Sequence, residues 1–144
     1  MRQSVGDTLD VWTGFDSLAY PFVAVKIYVN DGRMFSASLT RRALSGDWTM
    51  YSDYYYRRDS SLAAVISDLR TSHGDVRIVT RLLVDLSGNT IQKETSVFDL
   101  FSGKPVERRG MGKDPELFLS IRDWEKTIGR QYLVDSTRIG RGSE

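Results

Sequence analysis

The sequence predicts an α+β fold, a largely antiparallel sheet with two helices, laid out as a strands-then-helix unit repeated twice. Three observations carry that expectation. Val76, Ile78, Thr80, Leu82, Val84 and Leu86 occupy every second position of one stretch, the period of a strand with one buried face. Asp31-Gly32 and Ser87-Gly88-Asn89 separate β-rich runs, and such residues close hairpins because they tolerate positive φ. The stretches 59–74 and 114–129 space their apolar residues by three and four, as one face of a helix does.

Residues 1–20 form an N-terminal arm, in which Leu9, Val11 and Trp12 suit a short strand or a segment laid over the core or a neighbouring subunit. Gly14, Asp16 and Ser17 then mark a turn before Pro21. Phe22–Asn30 is rich in β-branched and aromatic residues and reads as a strand. The Asp31-Gly32 turn returns it along 33–40, pairing Tyr28 with Phe35, Ala24 with Leu39 and Val29 with Met34. After a turn at Ser45-Gly46-Asp47, a strand over 48–57 sets Trp48, Met50, Tyr54 and Tyr56 on one face. Thr49, Tyr51, Asp53, Tyr55 and Arg57 take the other. Asp59-Ser60 suits a helix cap, Leu62, Val65, Ile66 and Leu69 an apolar stripe, and Gly74 a left-handed stop.

The second half repeats the plan. The strand over 76–86 turns at Ser87-Gly88-Asn89 into another over 90–101, and Ser102-Gly103-Lys104-Pro105 leads to a short strand over 106–108. Asp114 caps a second helix with Pro115 at its first position, where a missing N–H costs nothing. Its stripe is Leu117, Phe118, Ile121, Trp124 and Ile128, ended by Gly129. Tyr132, Leu133 and Val134 suit a last strand, and 136–144 a flexible tail.

With 144 residues, 40% hydrophobic and 27% charged, the chain reads as a single globular domain, 1–144. Its 20 basic and 19 acidic side chains nearly cancel, which gives no general support to nucleic-acid or anionic-lipid binding. There is no cysteine, so disulfides, thiolate nucleophiles and cysteine-ligated metals are excluded. No apolar run reaches the roughly 20 residues of a membrane helix, and no leader is visible. The expectation is a cytoplasmic protein without membrane contact.

Catalytic signals are sparse. His73 is the only histidine and reads as a surface residue at a helix end, with no nucleophile-elbow motif to serve. Asp123 and Glu125 flank Trp124 as solvated helix charges, and Asp85 and Asp99 lack the lysine at short spacing that a metal nuclease wants. Gly110-Met111-Gly112-Lys113 precedes Asp114, but it is not a P-loop and reads as a flexible basic turn. No catalytic residue, metal ligand or cofactor is assigned, and a small hydrolase or nuclease without a recognisable motif ranks third.

The most unusual stretch is Trp48, Tyr51, Tyr54, Tyr55 and Tyr56, flanked by Arg41, Arg42, Arg57 and Arg58. Alternation keeps these rings from entering one core, so Tyr51 or Tyr55 belongs on the outer face beside arginine. Tyr51, Tyr55, Arg41, Arg42, Arg57 and Arg58, with Arg77, Arg81, Arg108, Arg109 and Lys113, make up the candidate site. The first reading is a non-catalytic protein-interaction module that self-associates through its aromatic-rich sheet. The alternative is a binder of single-stranded nucleic acid, since exposed aromatics beside cations stack bases. At the level of topology alone, the doubled sheet-then-helix unit resembles the Whirly and Pur-type single-strand binders, a resemblance that implies curved antiparallel sheets presented to single strands.

Overall fold

A computed structural model describes residues 7–14, 22–43, 45–107 and 114–128. The strands are β1 (Asp7–Gly14), β2 (Phe22–Asn30), β3 (Arg33–Arg42), β4 (Trp48–Tyr56), β5 (Leu62–Thr71), β6 (Val76–Val84) and β7 (Thr90–Asp99). All seven pair antiparallel in one sheet in the order β1-β2-β3-β4-β5-β6-β7, so each strand neighbours the next in sequence. Among the described residues one helix, α1 (Ile121–Ile128), follows.

This architecture overturns the expected α+β fold with two helices. Instead of a doubled strands-then-helix unit the described residues form a single meander and one short helix, and the topological resemblance to the Whirly and Pur-type binders falls with it. The stretch read as a first helix is β5. Its helix-like spacing comes from a bulge: Tyr55 pairs with Ala64 but Tyr56 pairs with Leu62, leaving Ala63 as an extra residue. Leu62 and Val65 therefore both point inward, three apart, at 1% and 0% exposure. Nor does Asp59 cap a helix. Its Oδ1 accepts from the Ser61 amide at 2.9 Å and the Ser61 hydroxyl at 2.6 Å, closing the β4–β5 turn, and Ser60 sits at φ 70°.

The second expected helix begins later than Asp114. Residues 114–119 have no helical structure, and two of their carbonyls serve β4 instead. The Tyr54 hydroxyl donates to the Glu116 carbonyl at 2.8 Å, and the Tyr56 hydroxyl to the Phe118 carbonyl at 2.7 Å. Two tyrosines two positions apart on a strand thus hold carbonyls two positions apart, matching the period of extended chain. Helix α1 starts only after Ser120, with the Asp123 carboxylate accepting from the Leu119 amide at 2.8 Å, much as a capping box does.

The hairpins follow the sequence more closely. Asp31 and Gly32 have φ of 53° and 73°, as a two-residue hairpin turn requires. Val29 faces Met34 as expected, but Tyr28 faces Ser36 and Ala24 faces Thr40, because Phe35 is bulged. β6 buries Val76, Ile78, Thr80, Leu82 and Val84 on one face, while Leu86 is 70% exposed in the following turn. Residues 7–14, placed within an arm, form the edge strand β1. The short strand expected over 106–108 reduces to a bridge between Phe98 and Pro105 and a bond from the Val106 amide to the Val97 carbonyl. The expected strand at 132–134 and tail at 136–144 lie outside the described residues.

One face of the sheet carries the core: Val25, Ile27, Ala37, Leu39, Tyr54, Tyr56, Leu62, Val65, Leu82 and Val84, closed by Phe118 and Trp124. Phe118 and Trp124 stack at 4.0 Å between ring centres, and Tyr54 meets both edge-on at 5.3 and 5.0 Å. The buried Trp124 Nε1 donates to the Tyr56 hydroxyl at 2.7 Å. Burial pushes the Tyr54 and Tyr56 hydroxyls above the ordinary tyrosine range.

Candidate functional site

Strand alternation sorts the outer face into rows. One runs Tyr28, Ser36, Tyr55, Ala64, Leu83 through successive pairings. Tyr55 and Leu83 are each 44% exposed, and the bulged Phe35 sets its ring 6.1 Å from that of Tyr28. At the far end of the same face a second row runs Arg42, Thr49, Arg70, Arg77, Phe98. Between them, Tyr51 shares a row with Thr40, Asp68 and Val79.

The charges on this face are largely paired. The Arg77 guanidinium grips Asp68 through Nε at 3.1 Å and Nη2 at 2.9 Å, and those hydrogen bonds, with the attraction between the charges, raise its pKa. Arg70 lies 3.6 Å from the same carboxylate and holds its guanidinium 5.6 Å from the Tyr51 ring centre. Ser38 donates to Asp53 at 2.8 Å. Arg81 is exposed and stands in register with Ile66 and Glu94.

The outer face therefore brings together Arg42, Tyr51, Tyr55, Arg77 and Arg81. It does not include Arg41, which points to the other face, is 4% exposed and donates from Nη1 to Glu116 at 2.9 Å. Arg57 is also committed within the fold. Its Nη1 donates to the Leu62 carbonyl at 2.7 Å and to the Ser61 hydroxyl at 3.2 Å, and its Nη2 donates to the Val84 carbonyl. Arg58 is exposed in the β4–β5 turn, where its carbonyl accepts from Arg33. Arg108, Arg109, Lys113 and the Gly110-Met111-Gly112 turn lie outside the described residues.

The acids weighed for catalysis have structural duties. Asp85 accepts from the Ser87 and Asn89 amides at 2.9 Å, and Asp99 from the Phe101 and Ser102 amides at 3.1 and 2.7 Å. His73 sits exposed in the β5–β6 turn with Nε2 4.0 Å from Asp47. Among the described residues no cluster of three metal-ligating side chains occurs, and no helix is long and apolar enough to cross a membrane. No family model, curated protein or solved structure matches the chain.

The candidate site drawn from the sequence omits Tyr28, Phe35, Arg70 and Leu83. Leu83 was within reach, since it shares the odd positions of β6 with Arg77, Val79 and Arg81. Arg70 was hidden by the helical reading of β5, and Phe35 by its bulge.

Proposed function

We propose that the protein is a non-catalytic interaction module whose outer sheet face packs against a second copy of the chain. The observation that supports this most is the exposure of Tyr55, Leu83 and Phe35 along the row that also holds the half-buried Tyr28, aromatic and aliphatic surface of the kind found at the centre of protein interfaces. A second copy suits the face because acids and bases are mixed on it, Asp53, Asp68 and Glu94 among Lys26, Arg70, Arg77 and Arg81. A net charge of +1 also gives two copies little mutual repulsion. Two sheets packed face to face are a common solution for burying such surface.

Single-stranded nucleic acid is the alternative occupant, favoured by the shared row of Arg42, Arg70 and Arg77. Against it, Arg70 already covers the Tyr51 ring, and Asp68 engages Arg77. Light scattering at low micromolar concentration is the test. The expected mass is twice 16.4 kDa, falling to the monomer in Tyr55→Glu combined with Leu83→Glu. A monomeric parent chain would refute self-association. A labelled single-stranded oligonucleotide that binds it at low salt and is released by added salt would install the alternative.

A further inference from the structure

Among the described residues, the cover over the inner face is incomplete. Residues 114–128 seat Phe118 and Trp124 over Tyr54 and Tyr56, toward one end of the strands. Toward the other end the inward row is Arg41, Met50, Leu69, Ile78. Between these rows lie Ser52, Ser67 and Thr80, buried in register with one another. Small hydroxyl side chains fill little depth there. Beyond them is a cavity of about 500 Å³ lined by Trp48, Met50, Leu69 and Thr71, by Pro115 and Glu116, and by Arg41.

That volume lies within the range of small-molecule sites, which pair apolar walls with few polar anchors. Here the walls are an indole, a thioether and an isobutyl group, and the anchor is a guanidinium. Arg41 is 4% exposed, whereas its partner Glu116 is 53% exposed. A buried guanidinium needs an anion to offset its lost hydration, but nothing requires that anion to come from the chain. Glu116 can leave for water at small cost; Arg41 cannot. The other carboxylate at the mouth, Asp114, is held by Lys93 at 2.6 Å, so its charge is balanced.

We propose that this cavity binds a small amphiphilic carboxylate, its apolar body against Trp48, Met50 and Leu69 and its carboxylate on Arg41 in place of Glu116. Arginine holds a carboxylate in two parallel hydrogen bonds, and the Glu116 carboxylate at 2.9 Å from Nη1 shows where such a group would sit. The site lies on the opposite face from the proposed self-association surface, so either proposal can fail alone.

Calorimetric titration of the full chain with decanoate, decanol and decylamine tests it. Decanoate is expected to bind at least tenfold more tightly than either analogue. Glu116→Gln, which removes the competing carboxylate, is expected to tighten decanoate severalfold while leaving decanol unchanged. Leu69→Trp, which fills the cavity, is expected to abolish binding; should it not fold, the ligand series and Glu116→Gln still decide. Equal affinity for the three ligands, preference for the amine, or no binding to the parent chain and Glu116→Gln would each overturn the proposal.

Discussion

The sharpest test of the fold is a single oxygen. Tyr56→Phe keeps the ring and removes only the hydroxyl that donates to the Phe118 carbonyl and accepts from Trp124 Nε1, both at 2.7 Å. Trp124 is 0% and Phe118 2% exposed, so water cannot readily replace the lost partner. A buried polar group left unpaired costs about 1–3 kcal/mol, and two such groups are stranded. Partial relaxation brings the expected loss to about 2–4 kcal/mol. With a urea m-value of about 2 kcal/mol/M, the midpoint falls by about 1–2 M. Tyr54→Phe is the internal comparison, since that hydroxyl is given a single carbonyl partner, Glu116 at 2.8 Å. It should cost about 1 kcal/mol. Urea unfolding followed by far-UV circular dichroism reads both. An unchanged midpoint in Tyr56→Phe, or a larger loss in Tyr54→Phe, would refute the claim that residues 116–124 are latched to β4 through Tyr56.

Other perturbations probe the same framework. In unfolded chain Tyr54 and Tyr56 ionise near pH 10, while burial keeps them neutral above that in the fold. Their contribution is thus fully present below about pH 10 and lost as pH rises beyond it, at no more than about 1.4 kcal/mol per pH unit for each. Urea midpoints measured from pH 8 to 11 should fall only in the alkaline part, and less steeply in Tyr56→Phe. Gly88→Ala places a Cβ 2.9 Å from Leu119 Cδ1 at a φ of +87°. The exposed leucine can shift, so the backbone term dominates and about 1–2 kcal/mol should be lost on thermal melting. Arg57→Ala removes the donors to the Leu62 and Val84 carbonyls and should cost about 2–3 kcal/mol, whereas the exposed Arg81→Ala should stay within about 0.5 kcal/mol. Equal losses in the two would contradict the clamp assigned to Arg57.

Wherever alternation ran unbroken, the strands were legible. β4 and β6 show it plainly: Tyr54, Tyr56, Ile78 and Leu82 are buried, and Tyr51, Tyr55 and Arg81 are exposed. What misled was the bulge. One inserted residue turns a period of two into a step of three, and Leu62-Ala63-Ala64-Val65 then imitates a helix face. The same device at Phe35 shifted the β2–β3 register by one beyond Val29. At 114–119 the error was different in kind. Asp114-Pro115 is a sound local helix start, but Tyr54 and Tyr56 compete for the carbonyls and win through burial and hydrogen bonding. Local propensity loses to tertiary partners that no spacing within the segment reveals. Composition also could not separate Arg41 and Arg57, held inside the fold, from Arg42 and Arg81 on its surface.

A meander confines each strand to neighbours in sequence, so the sheet buries surface only through what lies on its faces. Residues 114–128 cover part of one face, and the aromatic latch fixes which part. Among the described residues, two kinds of surface are left: one end of the inner face and the outer face. Evolution can fill the first with larger side chains or keep it as a cavity, and Arg41 is informative here. A void that merely escaped filling would gain nothing from a buried cation at its wall, which costs several kcal/mol of lost hydration before any partner is supplied. Met or Leu at position 41 would close the core more cheaply. The retained guanidinium, with the Glu116 carboxylate among its partners and half facing water, is the arrangement expected where an anion must come and go. The outer face makes the opposite choice, keeping Arg77 paired with Asp68 and Arg70 stacked on Tyr51. That pairing favours apolar contact at Tyr55 and Leu83 over capture of a polyanion.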